Sequence, residues 1–374
     1  MDQARAQGEF VIGIDGGGTH TRVACVGLDG TPLSIARGGG ASPMHNDDAE
    51  ENVRGTLTRA LADAGLDASG AVALVAGMAG FDRTTSPMGL RHNAAVERSV
   101  ELEGLTCPRT VVNDAVIAHR GALSGRAGVV VVAGTGSMIL AIDEQGTDLE
   151  SGQFGHYAGA ARHLACDAVQ RILLGESSVA DPLHTDVLAH FGTADVDELR
   201  NAVLELSVAH HNDAKRSYGA LAPQVTALAE QSALADTALR HLADLTARGV
   251  RLLASSVATV PVPVACTGSL ASDPSFRSRL AQALDGGEPR RTELVTPRLD
   301  PLGGAVLLAL ERAGVPADAA VLAALDVVTT MPPRPQWPRQ RTPLRLPGPP
   351  TIGADCVTRT RRQISRSLPT GRRL

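Results

Sequence analysis

Hydrophobic and turn-forming residues alternate near the start of the chain in a way that predicts three short strands. Phe10 to Ile14 is an apolar run that ends at Asp15, and three glycines follow it. A second strand is predicted from Thr21 to Leu28. Asp29-Gly30, directly after it, is a strong hairpin signal. Thr31 to Ala36 is the predicted third strand. The first of the two turns is unusually rich in glycine.

Beyond this unit, the pattern changes to alternating helices and strands. Glu51 to Ala64 has apolar residues at helical spacing, and Ala71 to Ala76 is typical of a buried strand. The apolar pair Val111-Val112 leads into Asn113-Asp114. The following segment, Ala115 to Leu123, predicts a helix.

The strand and turn pattern then begins again, which indicates an internal repeat. Val129 to Val132 is an apolar strand, Ala133 to Ser137 is a glycine-rich turn, and Met138 to Ile142 is the next strand. Asp143 to Gly146 then turns the chain. Two matching strand–turn–strand–turn units therefore predict two domains of similar architecture.

The second half of the chain predicts a helical subdomain. Residues 164–174 and 196–257 are rich in alanine and leucine at helical spacing. Val262 to Cys266 predicts a strand that ends in Thr267-Gly268-Ser269, and Gly303 to Gly314 predicts a helix of small residues.

Length and composition bound the domain organisation. The chain has 374 residues, 43% hydrophobic and 20% charged, which is typical of two ordinary globular domains. We predict a first domain over residues 1–120 and a second over 121–325. From residue 326 to 374 there are nine prolines, and this composition predicts a disordered tail.

The charge distribution bears on partners and compartment. Residues 326–374 carry ten arginines and two aspartates, which gives this segment a net charge of +8. The whole chain has a net charge of −5, so the rest of the chain carries −13. An acidic body argues against nucleic-acid binding, whereas the basic tail offers one surface for a polyanion.

The sequence shows no membrane-spanning run, no signal-peptide layout and five scattered cysteines, so we expect a cytoplasmic protein with no membrane partner.

The two glycine-rich turns are the strongest chemical signal. They join two strands, whereas a dinucleotide fingerprint lies between a strand and a helix, and the GxxxxGK[ST] pattern of a P-loop is absent. One such turn alone is also typical of a plain tight hairpin. Two turns with matching hydroxyl residues favour a phosphate-binding nest of backbone N–H groups that a Cβ would obstruct. The candidate phosphate-binding residues are Gly16, Gly17, Gly18, Thr19, Gly134, Thr135, Gly136 and Ser137.

The order of motifs along the chain resembles a known family. DGGGT at 15–19 is followed by ND at 113–114, AGTGS at 133–137, TGS at 267–269 and GGA at 303–305. This order is similar to the actin/hexokinase/Hsp70 superfamily. Within it, the chain resembles the N-acetylglucosamine kinase and BadF/BadG/BcrA/BcrD ATPase group over residues 9 to about 325.

The resemblance implies an α/β fold of two actin-like (ribonuclease H-like) domains, with an interdomain ATP cleft and helical additions in the second domain. The two glycine turns would bind the β- and γ-phosphates of ATP from opposite sides, and Gly268 and Ser269 would approach the adenosine. Asp15, at the end of the first strand, is the candidate anchor for Mg²⁺. A homodimer is an expectation that comes from the family resemblance alone.

Asp114 is the candidate catalytic residue. In the family, the aspartate of the ND motif is the general base, and phosphoryl transfer needs a carboxylate within reach of the attacking hydroxyl. The alternative is a purely structural one, because Asn113 and Asp114 would also cap the helix that begins near Ala115.

The acceptor side departs from the family pattern. The family's substrate-binding asparagine aligns with Met44, and its acidic GDEGS segment is replaced by residues 159–163, Gly-Ala-Ala-Arg-His. Both carboxylates that would contact sugar hydroxyls are therefore missing. The candidate substrate residues are His45, Asn113, Phe154, Gly155 and His156.

Three functions compete at this stage. The first is a small-molecule kinase that transfers the γ-phosphoryl group of ATP to a hydroxyl of an amino sugar or related polyol, including a cyclitol. The second is an iron–sulfur activator of radical dehydratases, which the lack of a cysteine beside the AGTGS turn disfavours. The third is a catalytically decayed or regulatory ATP-binding module.

Overall fold

The computed structural model describes residues 8–44, 46–82, 85–134, 136–208, 211–285 and 292–330. In chain order, the strands within these ranges are β1 (Phe10–Gly16), β2 (Thr21–Gly27), β3 (Pro32–Gly38), β4 (Ala71–Met78), β5 (Arg109–Asn113), β6 (Gly128–Ala133), β7 (Ser137–Ile142), β8 (Asp148–Glu150), β9 (Val262–Thr267) and β10 (Thr292–Val295). The α-helices are α1 (Ala49–Ala64), α2 (Pro87–Ser99), α3 (Asp114–Leu123), α4 (Ala161–Leu173), α5 (Pro182–Phe191), α6 (Val196–Val208), α7 (His211–Ala227), α8 (Ala233–Ala254), α9 (Pro274–Asp285), α10 (Pro301–Arg312) and α11 (Ala319–Thr330).

The strands form two five-stranded sheets with the same topology. The first sheet has the order β3-β2-β1-β4-β5, and the second has the order β8-β7-β6-β9-β10. In the first sheet, β3, β2 and β1 are antiparallel neighbours, and β4 and β5 run parallel to β1. In the second sheet, β8, β7 and β6 are antiparallel neighbours, and β9 and β10 run parallel to β6. The predicted architecture of two similar α/β units is confirmed.

Both faces of the first sheet are covered, which explains why its central strand is almost wholly apolar. Phe10, Ile12 and Ile14 face a core that is completed by α1 and α2. Val11 faces the opposite core, which includes side chains from α10 and α11. On that side, Gly13 admits the helix closely, since a Cβ there would lie 2.6 Å from a methyl group of Val306.

Helices α3 and α10 each pack on the sheet of the opposite half, and α3 also contacts its own sheet through Ile117. α3 follows the last strand of the first sheet, yet its Ala115 and Ala118 pack with Val130 and Leu140 of the second sheet. α10 follows the last strand of the second sheet, yet it packs on β1 and β4 of the first. Each half of the molecule is therefore completed by a helix that the other half supplies.

The exchanged helices cross at backbone contact distance. A Cβ on Gly304 of α10 would overlap the carbonyl oxygen of Ile117 and the amide nitrogen of Gly121, both on α3. A Cβ on Gly121 would in turn overlap the carbonyl oxygen of Asp300. Only glycine fits at both positions, because the atoms that a side chain would meet belong to the main chain and cannot move independently.

The helical additions belong to the second sheet, as predicted. The outer face of this sheet, which includes Val131 and Ile139, packs on an alanine- and leucine-rich core built from α4 to α9. The longest of these helices, α8, has buried residues at helical spacing along its length. Within the described residues, no helix is both long and apolar enough to cross a membrane.

The end of the described chain differs from the predicted start of the tail. Helix α11 continues to Thr330, beyond the boundary placed at residue 326. Val321, Leu325 and Val328 are buried against the first sheet, and their i, i+4, i+7 spacing is the helical signal that the proline-rich composition masked. The remaining tail, residues 331–374, lies outside the described residues.

A Gly304→Ala substitution should destabilise the fold strongly, because the methyl group has no room between the crossing helices. We expect a loss of about 2–5 kcal/mol in the free energy of unfolding, measured by urea denaturation. Gly55→Ala is the matched control, since Gly55 lies in the middle of α1 with nothing within 4 Å of its would-be Cβ. That variant should gain about 0.5–1 kcal/mol from helix propensity, and equal effects at the two positions would contradict the close crossing.

Candidate active site

The ends of three neighbouring strands bring the predicted polar residues together. In the register of the first sheet, Gly16 pairs with Met78, and Met78 pairs with Asn113. Asp15 and Asp114 therefore lie at the same edge, because parallel strands end side by side. Sequence reasoning identified both residues, and the fold supplies the reason that they are neighbours.

The first glycine turn is held by the loop that follows β3. The Gly17 N–H donates to His20 O at 2.9 Å, and the Ala41 N–H donates to Gly17 O at 2.9 Å. The Asn46 side-chain amide donates to Gly18 O at 2.9 Å. Asn46 thus supports the turn from behind, a role that its sequence position did not reveal.

Other members of this region have different environments. Gly16 is the last residue of β1 rather than part of the turn, and a Cβ there would overlap the Met78 sulfur, so its glycine serves packing. Thr19 is exposed, and its hydroxyl lies 2.9 Å from Nδ1 of His20. Met44 is 66% exposed, and His45 lies outside the described residues.

The second glycine turn packs directly on the turn after β9. The N–H groups of Leu270 and Ala271 each donate to Ala133 O at 3.0 Å. Gly268 has a φ of +96°, and a Cβ there would lie 2.6 Å from the same carbonyl oxygen. A Cβ on Gly134 would lie 3.6 Å from the Ser269 nitrogen. The phosphate turn and the predicted adenosine turn therefore form one continuous surface.

Two glycines in these turns are not required by the protein's own packing. A Cβ on Gly18 or Gly136 would meet nothing within 4 Å, and neither residue has a positive φ. Space of this kind suits the close approach of a phosphate group to the main chain. Ser137, the last residue of the second turn, is exposed at the start of β7, while Thr135 lies outside the described residues.

A buried threonine hydroxyl adds to this surface. Within the described part of the chain, Thr267 Oγ1 is buried and has no hydrogen-bond partner. It precedes Gly268 at the end of β9. A buried hydroxyl without a partner costs free energy, so its place beside the predicted nucleotide surface fits a ligand that supplies the missing bond.

Arg22 links the two halves of the site through two carboxylates. Its Nε and Nη2 donate to Asp15 Oδ2 at 3.0 and 2.7 Å, and its Nη1 forms an ion pair with Asp300. Asp300 caps α10, since its Oδ1 accepts a hydrogen bond from the Gly303 N–H at 2.9 Å. No local sequence pattern indicates this bridge, although Arg22 stands directly opposite Asp15 in the β1–β2 register.

The Asp15 environment fits a magnesium ion held mainly by a ligand's phosphates. Burial raises the pKa of Asp15, and the Arg22 guanidinium opposes that rise. Both Arg22 hydrogen bonds to Asp15 go to Oδ2, so the ion pair uses one of the two carboxylate oxygens. Within the described residues, no group of three or more His, Cys, Asp or Glu side chains is arranged to hold a metal. Mg²⁺ commonly binds with one or two carboxylates, substrate phosphates and water.

Asn113, rather than Asp114, is the cap of α3. Asn113 Oδ1 accepts from the Ala115 N–H at 2.9 Å, and its Nδ2 donates to Phe81 O at 2.8 Å. The Asn113 side chain is thus fixed by contacts within the protein, and its contact with substrate stays a prediction. Asp114 is the first residue of the helix, and the capping explanation for its carboxylate is not needed.

Burial, together with the nearby charges of Asp15 and Glu150, raises the pKa of Asp114 to about 6. Backbone N–H groups at the start of α3 act in the opposite direction. A carboxylate in this range accepts a proton more readily than an ordinary aspartate and is still ionised at neutral pH. The electrostatic setting therefore suits a general base.

Of the remaining acceptor-side residues, His156 lines a small cavity beside β7, whereas Phe154 and Gly155 do not. Phe154 is 56% exposed, and Gly155 ends the short 3₁₀ turn Ser151–Phe154 with a φ of +70°. His156 is fixed from behind, because its Nε2 lies 2.7 Å from Leu245 O on α8. The cavity, of about 70 Å³, is lined in part by Ser137, Glu150 and His156.

The segment that replaces the family's acidic motif forms the start of α4. The Ala161 N–H donates to Gly134 O at 3.2 Å, which places this helix end against the second phosphate turn. The Ala160 N–H donates to Nδ1 of His163 at 3.0 Å. His163 therefore caps its own helix, and the two alanines leave the acceptor side without the expected carboxylates.

Replacing Asp114 by asparagine should stabilise the protein at pH 8. Because the folded-state pKa of about 6 exceeds the usual value of an aspartate, the ionised side chain costs stability above that pH. We expect a gain of about 1–3 kcal/mol at pH 8 that shrinks as the pH falls toward 4, measured by calorimetric unfolding. Asp63→Asn, at an exposed position of α1, should show no such trend, and a pH-independent effect at Asp114 would refute the raised pKa.

Comparison with known proteins places this geometry in a family. Residues 12–309 match the BadF/BadG/BcrA/BcrD ATPase family. A 157-residue stretch is 31% identical to the N-acetylmuramic acid/N-acetylglucosamine kinase of Clostridium acetobutylicum, covering 40% of this chain and 48% of the relative. The chain thus spans about half the length of that curated relative.

Solved structures show the same fold. A candidate N-acetylglucosamine kinase from Chromobacterium violaceum matches with a TM-score of 0.61 and 27% identity, over 81% of this chain and 99% of that one. A candidate N-acetylglucosamine kinase from Porphyromonas gingivalis matches with a TM-score of 0.59 and 17% identity, over 80% and 99%. The order of the two glycine turns, the strand-end aspartates and the match over residues 12–309 together show that the chain belongs to the BadF/BadG/BcrA/BcrD ATPase family.

Proposed function

We propose that this protein is an ATP-dependent kinase that transfers the γ-phosphoryl group to a hydroxyl of an amino sugar or a related polyol. The observation that carries the proposal is Asp114, a carboxylate with a pKa of about 6 at the strand edge that also carries Asp15 and the first glycine turn. The kinase relatives of similar sequence and fold support the same class of reaction.

The proposed reaction is a single displacement. The acceptor hydroxyl oxygen attacks the γ-phosphorus as its proton passes to the Asp114 carboxylate, and the bond to the bridging oxygen breaks to release ADP. Asp114 is suited to this step because it starts a helix that is fixed on the second sheet, so its position is set by rigid elements. The reaction depends mostly on positioning and on charge neutralisation.

The nucleotide would lie between the two glycine turns. Gly17 and Gly18 from the first turn, and Gly134 and Gly136 from the second, would present main-chain N–H groups to the phosphates. Gly268 and Ser269 would border the adenosine. Mg²⁺ would neutralise phosphate charge next to Asp15, which Arg22 keeps in place. The four cysteines among the described residues are free thiols, which fits a cytoplasmic location.

An iron–sulfur activator is disfavoured by the cysteine environments. Cys25 and Cys266 are buried, Cys107 and Cys166 are partly buried, and none of the four lies in either glycine-rich turn. Cluster ligation requires cysteines at the cluster. Purified protein should accordingly contain no iron.

A coupled ATP-consumption assay over amino sugars, N-acetyl sugars and cyclitols tests the kinase proposal. We expect at least one acceptor to stimulate turnover, and Asp114→Asn to lower kcat by about 10²–10⁴-fold without loss of ATP affinity. Asp63→Asn should keep full activity. Full activity in Asp114→Asn would reject the base, and ATP binding without any stimulated turnover would favour the decayed module.

The glycines at positions 18 and 136 give a second test of the nucleotide site. Gly18→Ala and Gly136→Ala should fold with near-normal stability, since the added Cβ meets nothing within 4 Å. ATP affinity should fall by about tenfold or more, because the methyl group enters the space that a phosphate would use. Thermal unfolding and nucleotide titration separate the two effects, and unchanged affinity in both variants would place the phosphates elsewhere.

A further inference from the structure

Glu150 lies on the face of the second sheet that α3 covers. It ends β8, and it pairs with Leu140 in the antiparallel β7–β8 ladder. Directly paired residues point to the same face of a sheet, and Leu140 packs with Ala115 and Ala118 of α3. Glu150 is therefore on the side of the helix that Asp114 begins, and the two carboxylates influence each other electrostatically.

Glu150 also lines the cavity on the acceptor side. The cavity wall includes Ser137 of the second phosphate turn, His156 and Tyr157. A group bound in this cavity would lie between the phosphate turn and Glu150. The carboxylate thus stands where the acceptor, rather than the nucleotide, would bind.

Two exposed aromatic side chains come from the segment that follows Glu150. Phe154 is 56% exposed and Tyr157 is 78% exposed, in a chain with only 2% aromatic residues. Tyr157 lines the same cavity as Glu150, whereas Phe154 does not. An exposed ring beside a carboxylate is a common way to bind an organic cation, since the ring face attracts positive charge.

The rest of the acceptor side has lost negative charge. Ala160 and Ala161 occupy the start of α4, next to Gly134. The field of Arg162, the next residue, acts on His163 and Lys215. Among the described residues that line this cavity, Glu150 is the one carboxylate.

We propose that Glu150 determines acceptor specificity by pairing with a free ammonium group, so that the kinase selects an unacylated amino sugar over its N-acetyl form. This role of Glu150 in choosing the phosphoryl acceptor rests on the proposed kinase function. A charge-assisted bond between a carboxylate and an ammonium is stronger than a bond to a neutral amide, which gives the site its means of discrimination.

Calorimetric titration of the full chain, saturated with the magnesium salt of a non-hydrolysable ATP analogue, tests the inference. Two sugar pairs differ only at the nitrogen: glucosamine with N-acetylglucosamine, and galactosamine with N-acetylgalactosamine. We expect at least one amine to bind about tenfold more tightly than its acetylated partner. Glu150→Gln should reduce that ratio to about threefold or less, with unchanged affinity for the nucleotide analogue.

Two further variants separate charge from structure. Glu150→Asp should keep a preference for the amine. Glu103→Gln changes an exposed carboxylate in the first half of the chain, and this variant should match the wild type. Equal or tighter binding of the acetylated sugars by the wild type, or a full amine preference in Glu150→Gln, would overturn the inference. So would the absence of binding by all four sugars.

Turnover distinguishes this inference from the proposed function. Amine-selective binding without ATP consumption would reject the kinase and leave the role of Glu150 in place. ATP consumption with no selectivity for the amine would reject the role of Glu150 and leave the kinase in place.

Discussion

The backbone contact between α3 and α10 is the constraint on which the rest of the molecule depends. Gly121 and Gly304 allow the two helices to cross with no side chain between them, and each helix packs on the sheet of the opposite half. Asp114 begins one helix and Asp300 caps the start of the other. The crossing therefore fixes the relative position of the candidate base and of the carboxylate that anchors Arg22.

The electrostatics of the site divide its carboxylates into two kinds. Asp15 is held by Arg22, which compensates much of the cost of its burial. Asp114 is buried and lies near the charges of Asp15 and Glu150, and together these raise its pKa to about 6 against the opposing helix N–H groups. The fold thus gives the two carboxylates different surroundings, an ion pair with Arg22 at Asp15 and burial near like charges at Asp114.

Much of this arrangement could be predicted from the sequence because its signals are local. The glycine turns, the strand that precedes Asp114 and the repeated pattern each lie within a few residues. The Arg22–Asp300 bridge joins residues far apart in the chain, and the role of Glu150 depends on its register with Leu140, so neither leaves a local pattern. The exchange of helices was hidden for the same reason, since hydrophobic spacing shows that a helix is buried but not against which sheet.

The exchange of helices has a consequence for how the chain is made. The core on one face of the first sheet contains Val306, Val321 and Leu325, although the strands of that sheet end at Asn113. During synthesis, the amino-terminal half emerges long before the helices that cover it. Its exposed face must wait for nearly the whole described chain, and until then it is a surface for chaperones or for aggregation. This face of the first sheet is therefore covered late in synthesis.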